Sequence, residues 1–197
     1  MDRSTDSKRS NSVTKSVLVR SVFSVLAAAT LIPSVVEAQA DTYAAEIATL
    51  AQNPKVAAAL ENIDERDART MADLLELTEI PAPPFGEEAR GQRFLRKLQD
   101  LGVDSTWVDA EGNVLGLRRG ADSDYVVAIT GHLDTVFPEG TDVTVRQRGD
   151  TLFAPGIGDD TRGLAAMLAV LRALNESDIQ TQADLLFVAT VGEEGVG

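Results

Sequence analysis

The chain of 197 residues contains no cysteine and only one histidine, His132. Without cysteine it forms no disulfide and offers no thiolate to a metal, so any metal ligands must be imidazole or carboxylate groups. Positive charge is also scarce, because 31 Asp and Glu residues outnumber 18 Lys and Arg residues and the net charge is −13. Such a surface repels phosphate backbones, and we therefore expect no nucleic-acid partner.

Long apolar runs are lacking too, and the one near the N-terminus is short for a membrane span. Ser21–Val36 spans 16 residues, is interrupted by Pro33, follows a basic leader and precedes the small-residue pattern Ala38–Ala40. This order is typical of a secretory signal peptide, which we predict over residues 1–40. We expect an exported protein, periplasmic or secreted, with no stable membrane span after cleavage. An uncleaved N-terminal anchor is the alternative.

Helical and strand-like patterns alternate along the rest of the chain. This alternation predicts an α/β fold, a three-layer sandwich around a mixed β-sheet, after an N-terminal helical segment of residues 41–65. The apolar run Tyr125–Thr130 is typical of a strand that is buried on both faces. The predicted helices are Thr42–Leu60, Arg66–Glu79, Glu87–Leu101 and Thr161–Leu174, and the predicted strands are Val103–Asp109, Asn113–Arg118, Tyr125–Thr130, Val143–Arg148, Thr151–Ala154 and Ala183–Val191.

Three short motifs rich in carboxylates follow predicted strands. They are Gly131–Asp134, Ala154–Gly163 and Gly192–Gly195. Ligands of open α/β sheets bind beyond the carboxyl ends of the strands, so we expect these motifs to meet there. Each is weak by itself: a lone His is more often a structural residue, an Asp before a helix is often a cap, and paired Glu residues often form a solvated turn.

The combination of the three motifs predicts a cation site. Bringing unpaired carboxylates near one another costs several kcal/mol of electrostatic free energy, and a divalent cation between them removes this repulsion. His132 and Asp134 lie two residues apart and so share a face of an extended chain, where Asp134 can orient the imidazole. Successive strand residues point to opposite sides, so Glu193 and Glu194 can take different parts.

The same residues resemble a known family. The segments GHLDTVF, APGIGDDTRGLA and VGEEG, in that order, together with LTEIPAPPFGEEARGQRFL, are similar to the zinc metallopeptidases that include glutamate carboxypeptidase, tripeptidase T, aminoacylase and succinyl-diaminopimelate desuccinylase. The resemblance implies the catalytic domain of a di-zinc exopeptidase-like fold, a full-length protein that forms a homodimer, and a small peptide or an N-acyl amino acid as substrate.

The resemblance also implies a role for each site residue. His132 ligates one metal, Glu194 ligates the second, and Asp159 bridges the two. Asp134 supports His132, and Glu193 is the general base. The implied cofactors are two divalent ions, Zn²⁺ first and Co²⁺ or Mn²⁺ as alternatives, and the implied reaction is metal-assisted amide hydrolysis. The family often has a cis peptide bond after the bridging residue, which we carry over to Asp159-Asp160 as a hypothesis.

The chain departs from the family in its length. Family members continue well beyond the VGEEG motif, with a further carboxylate ligand, a distal histidine and a lid or dimerisation domain. Residues 66–197 therefore correspond to the N-terminal part of such a catalytic domain, and we expect this chain alone to be inactive and marginally stable. A non-catalytic binding or scaffold relative and a periplasmic metal- or solute-binding protein are the alternatives.

Overall fold

A computed structural model of the protein describes residues 43–122 and 124–195. The signal peptide predicted over residues 1–40 lies outside this part of the chain. Among the described residues, no helix combines the length and the apolar character that crossing a membrane requires.

The described residues form five helices and six strands. Residues 43–51 form α1, and a separate compact unit runs from Asn53 to Gly197. The predicted domain boundary between residues 65 and 66 stays a prediction. The further helices are α2 (Pro54–Glu65), α3 (Asp67–Thr78), α4 (Glu88–Asp100) and α5 (Arg162–Glu176), and the strands are β1 (Ser105–Val108), β2 (Val114–Arg118), β3 (Val126–His132), β4 (Arg146–Arg148), β5 (Thr151–Phe153) and β6 (Asp184–Thr190).

Four of the strands form a mixed sheet in the order β1-β2-β6-β3. β1 and β2 pair antiparallel, as do β2 and β6, whereas β3 and β6 pair parallel. In the parallel pair Val126 lies opposite Asp184 and His132 lies opposite Thr190. The predicted α/β fold with a mixed sheet is confirmed, and the first and third motifs emerge side by side at one edge.

The prediction that the Tyr125 run is buried on both faces is wrong, because no residue from 125 to 130 is buried. Val126 is 53% exposed and Val127 is 46% exposed. The reason is the position of β3 at the edge of the described sheet, where β6 is its only partner strand. An edge strand has one side without a neighbour, which a continuous apolar sequence does not reveal.

The second motif reaches the sheet edge by a different route from the other two. β4 and β5 form a two-stranded sheet of their own, separate from the four-stranded one. The rule that ligands bind at the carboxyl ends of sheet strands therefore explains the placement of the first and third motifs only. The second motif enters from this hairpin and leads directly into α5.

The core lies between the helices and one face of the sheet. Alternate residues of β6, Leu185, Phe187 and Ala189, belong to the same buried cluster as the apolar stripes of α4 and α5. This alternation is what a strand with one face against helices requires. The other buried side chains of the cluster are Leu77, Phe94, Leu98, Val114, Leu133, Leu164, Met167, Leu168 and Leu171.

A buried ion cluster ties α3, α4 and α5 together. One oxygen of the Asp73 carboxylate accepts a hydrogen bond from Lys97 Nζ at 2.7 Å, and the other accepts one from Arg172 Nη2 at 2.6 Å. All three side chains are almost fully buried. Asp73 is the only hydrogen-bond partner of the Arg172 guanidinium among the described residues, since its Nε and Nη1 atoms have none.

We expect Asp73→Ala to destabilise the protein strongly. It would leave the buried Arg172 without a partner in the described part of the chain, whereas Lys97 would keep Glu76. Breaking a buried pair in this way costs about 3–5 kcal/mol of the free energy of unfolding. Urea denaturation followed by circular dichroism measures the loss. The matched control is Arg146→Ala, which removes an exposed ion pair to Asp142 and should cost less than about 1 kcal/mol. Equal losses in the two variants would contradict this account.

Candidate metal centre

His132 is the last residue of β3, and both of its ring nitrogens face oxygen atoms. Nδ1 lies 3.1 Å from the carbonyl oxygen of Asp134 and 3.4 Å from its carboxylate. Nε2 lies 2.9 Å from Oδ1 of Asp159. The predicted proximity of Asp134 to the imidazole is present, with the backbone carbonyl as the nearer acceptor.

Asp159 and Asp160 lie in a turn between β5 and α5. The backbone at these two residues is not helical, and the peptide bond that joins them is cis, as the hypothesis drawn from the resemblance expects. The Asp159 side chain is 81% exposed, so its second carboxylate oxygen is open to solvent. The turn therefore presents Asp159 to the imidazole while leaving it accessible.

Asp160 supports the turn and the strand end. Its Oδ2 accepts the backbone N–H of His132 at 3.2 Å, and its Oδ1 accepts that of Gly163 at 3.0 Å. Two glycines make room for it, because a Cβ on Gly131 would lie 2.8 Å from Oδ2 and a Cβ on Gly163 would overlap Oδ1. The bond to Gly163, at the start of α5, agrees with the alternative that Asp160 caps the helix.

Glu193 and Glu194 lie in the turn that follows β6, which ends at Thr190. Because these two residues lie outside the strand, the alternation of strand side chains does not explain the directions of the Glu193 and Glu194 side chains. Their backbone N–H groups both point to Asp134, whose buried carboxylate accepts them at 3.1 Å and 2.8 Å. The Glu193 side chain is 60% exposed, with Oε2 3.9 Å from Nε2 of His132.

The three predicted metal ligands come together in one cluster. His132, Asp159 and Glu194 each offer a ligand atom, and these atoms lie within 4.8 Å of one another. The resemblance distributes them over two metals, with His132 and Glu194 on different ions. Their clustering is equally compatible with one ion held by three protein ligands, the number that catalytic zinc sites use.

The protonation chemistry of His132 fits a cation at this position. When Nδ1 carries the hydrogen that the Asp134 carbonyl accepts, a neutral ring directs its Nε2 lone pair at the Asp159 carboxylate. Two lone pairs at 2.9 Å repel each other unless a proton or a metal ion lies between them. Without metal the proton is favoured: burial lowers the His132 pKa, but the bond to Asp159 and the charges of Asp134 and Asp160 outweigh it and raise the pKa.

Arg90, on α4, is a supporting residue that was not predicted from the sequence. Its guanidinium is buried and donates from Nη1 to the carbonyl of Leu133 at 2.6 Å and from Nη2 to that of Ile80 at 2.8 Å. It thereby holds the chain between His132 and Asp134. The sequence does indicate a buried cation here, because Arg90 lies one turn before Phe94 on the apolar face of an amphipathic helix.

Comparison with known proteins agrees with the motifs. Residues 128–197 match the family described as Peptidase family M20/M25/M40. The uncharacterized protein YqjE of Bacillus subtilis is 31% identical over 142 residues, which are 65% of this chain and 37% of YqjE. Carboxypeptidase G2 of a Pseudomonas species is 26% identical over 140 residues, 66% of this chain and 34% of that protein.

The solved structures give the same picture. A tripeptidase of Staphylococcus aureus superposes with a TM-score of 0.54 at 30% identity, covering 64% of this chain and 36% of the tripeptidase. The chain thus spans about a third of the length of the relatives it matches. The resemblance read from the three motifs is confirmed, because residues 128–197 match the peptidase family M20/M25/M40.

Proposed function

We propose that the chain carries part of the active site of a metal-dependent amide hydrolase, which acts on small peptides or N-acyl amino acids. The observation that supports this proposal most directly is the cluster of His132, Asp159 and Glu194 beside the exposed carboxylate of Glu193. Relatives named as a carboxypeptidase and a tripeptidase support the same reaction class.

His132, Asp159 and Glu194 would hold the metal. Two divalent ions, with Zn²⁺ as the first candidate, suit this set because imidazole and carboxylate are ligands that zinc accepts. When bound, such ions supply Lewis acidity that brings the pKa of a water toward about 7 and polarises the amide carbonyl. Asp134 holds the His132 ring in the tautomer that leaves Nε2 free for a metal.

Glu193 would move the proton. Its carboxylate accepts a proton from the water as the water oxygen attacks the amide carbon, and returns it to the nitrogen as the C–N bond breaks. The role fits its placement, because the side chain is largely exposed and near the imidazole while its backbone N–H is fixed by Asp134. The neighbouring Glu194 remains available as a ligand.

Removing one ligand should weaken metal binding. We expect Asp159→Asn to lower the Zn²⁺ or Co²⁺ affinity of this chain at least about tenfold, since even changes around a ligand cost 10–100-fold. Competition with a chromophoric chelator measures the affinity. Asp150→Asn is the matched control, because Asp150 is exposed in the turn between β4 and β5 and should bind metal as the wild type does. Equal affinities in the two variants would overturn the ligand assignment.

Replacing the general base should separate binding from chemistry. We expect Glu193→Gln in the full-length protein to keep its metal while losing about 10²–10⁴-fold in kcat on a panel of peptides and N-acyl amino acids. Metal content and turnover are measured on the same preparation. A scaffold or solute-binding protein has no turnover to lose, so a wild type inactive on the whole panel favours those alternatives. Wild-type turnover in the variant contradicts the role of Glu193.

A further inference from the structure

A second buried carboxylate touches the turn that carries Glu193 and Glu194. Glu87 immediately precedes α4 and is only 4% exposed. Its Oε1 accepts the backbone N–H of Phe85 at 2.8 Å and that of Gly192 at 3.3 Å. The first bond is local to the loop before α4, whereas the second crosses 105 residues of sequence to the third motif.

Three successive backbone N–H groups of this turn therefore point to two buried carboxylates. Gly192 donates to Glu87, and Glu193 and Glu194 donate to Asp134. Gly192 has a φ of +69°, in the left-handed region where a side chain is disfavoured. The direction in which Glu194 leaves the backbone depends on these three bonds, because a turn residue has no strand ladder to fix it.

The same end of α4 also contacts the first motif. Arg90 donates to the carbonyl of Leu133, and a Cβ on Gly91 would lie 3.3 Å from the Leu133 side chain. Glu87, Arg90 and Gly91 thus bring both metal-ligand segments against a single helical turn. None of these three residues offers an atom to the ligand cluster itself.

We propose that Glu87 is a positioning residue of the metal centre, whose carboxylate oxygen fixes the Gly192–Glu194 turn so that Glu194 joins His132 and Asp159 in the ligand cluster. This inference rests on the proposed function, because it presumes that the cluster binds metal. A residue that only stabilises the loop before α4 would affect folding and leave the metal affinity of the folded protein unchanged. Metal affinity therefore separates the two roles.

Two substitutions at Glu87 test the oxygen and the charge separately. Glu87→Gln keeps a carbonyl oxygen at the same reach and removes the charge, whereas Glu87→Asp keeps the charge and withdraws the oxygen by one methylene. The matched controls are Glu88→Gln and Glu88→Asp, because Glu88 is the exposed neighbour. Both measurements use this chain: Co²⁺ and Zn²⁺ affinity by chelator competition, and metal-free stability by urea denaturation.

We expect Glu87→Gln to bind metal within about threefold of the wild type and Glu87→Asp to bind about 10–100-fold more weakly, the usual cost of disturbing a group that orients a ligand. Both Glu88 variants should bind as the wild type does. This order of affinities is expected among variants that are folded in the absence of metal. The urea denaturation curves show which variants are folded.

Two results overturn the proposal while leaving the metal centre intact. One is wild-type affinity in Glu87→Asp, and the other is equal weakening in Glu87→Gln and Glu87→Asp, since the second would make charge rather than oxygen position the cause. Failure of the wild type itself to bind either ion would instead refute the metal centre, and the inference about Glu87 with it.

Discussion

The buried carboxylate of Asp134 is the interaction on which the candidate site depends. It accepts the backbone N–H groups of Glu193 and Glu194, while the carbonyl of the same residue faces Nδ1 of His132. One residue therefore connects the ends of two parallel strands that the sheet only brings near each other. Burying a carboxylate costs free energy unless it is hydrogen-bonded. The two backbone hydrogen bonds therefore also allow the Asp134 carboxylate to be buried.

Arg90 completes the environment of this carboxylate. Burial of its guanidinium lowers the Arg90 pKa to about 10, and the charge of Asp134 opposes the shift. At neutral pH the Arg90 guanidinium therefore remains a cation although it is fully buried. Because Arg90 also donates to the carbonyl groups of Ile80 and Leu133, its guanidinium supports the backbone of the first motif.

The sequence predicted most of the fold and the residues that the structure gathers beyond the ends of β3 and β6. The apolar runs at β3 and β6 located both strand ends, and the spacing of His132 and Asp134 predicted their contact. It did not predict that β4 and β5 form a separate sheet or that Val126 and Val127 are exposed. The sequence of an apolar strand is the same whether one or two neighbouring strands pair with it. Strand pairing depends on partners far away in the chain, which local patterns do not encode.

The long-range contacts of the supporting residues were not predicted, for a related physical reason. The side chains of Glu87 and Asp160 accept hydrogen bonds from backbone N–H groups that lie 105 and 28 residues away. Any residue type can supply a backbone N–H, so such bonds leave no mark on the sequence at the donor end. Glycines are the exception: Gly131 and Gly163 are required because Asp160 occupies the space of a Cβ.

Burial divides the site into two functional layers. The groups that hold the backbone, Asp134, Glu87 and Arg90, are buried, whereas Asp159 and Glu193 are largely exposed. A buried support is rigid because its packing and bonds allow one arrangement, and exposed carboxylates remain open to an ion, a water or a substrate. The arrangement therefore holds the backbone of the candidate ligands in place and leaves the Asp159 and Glu193 carboxylates accessible, which would suit an open metal site.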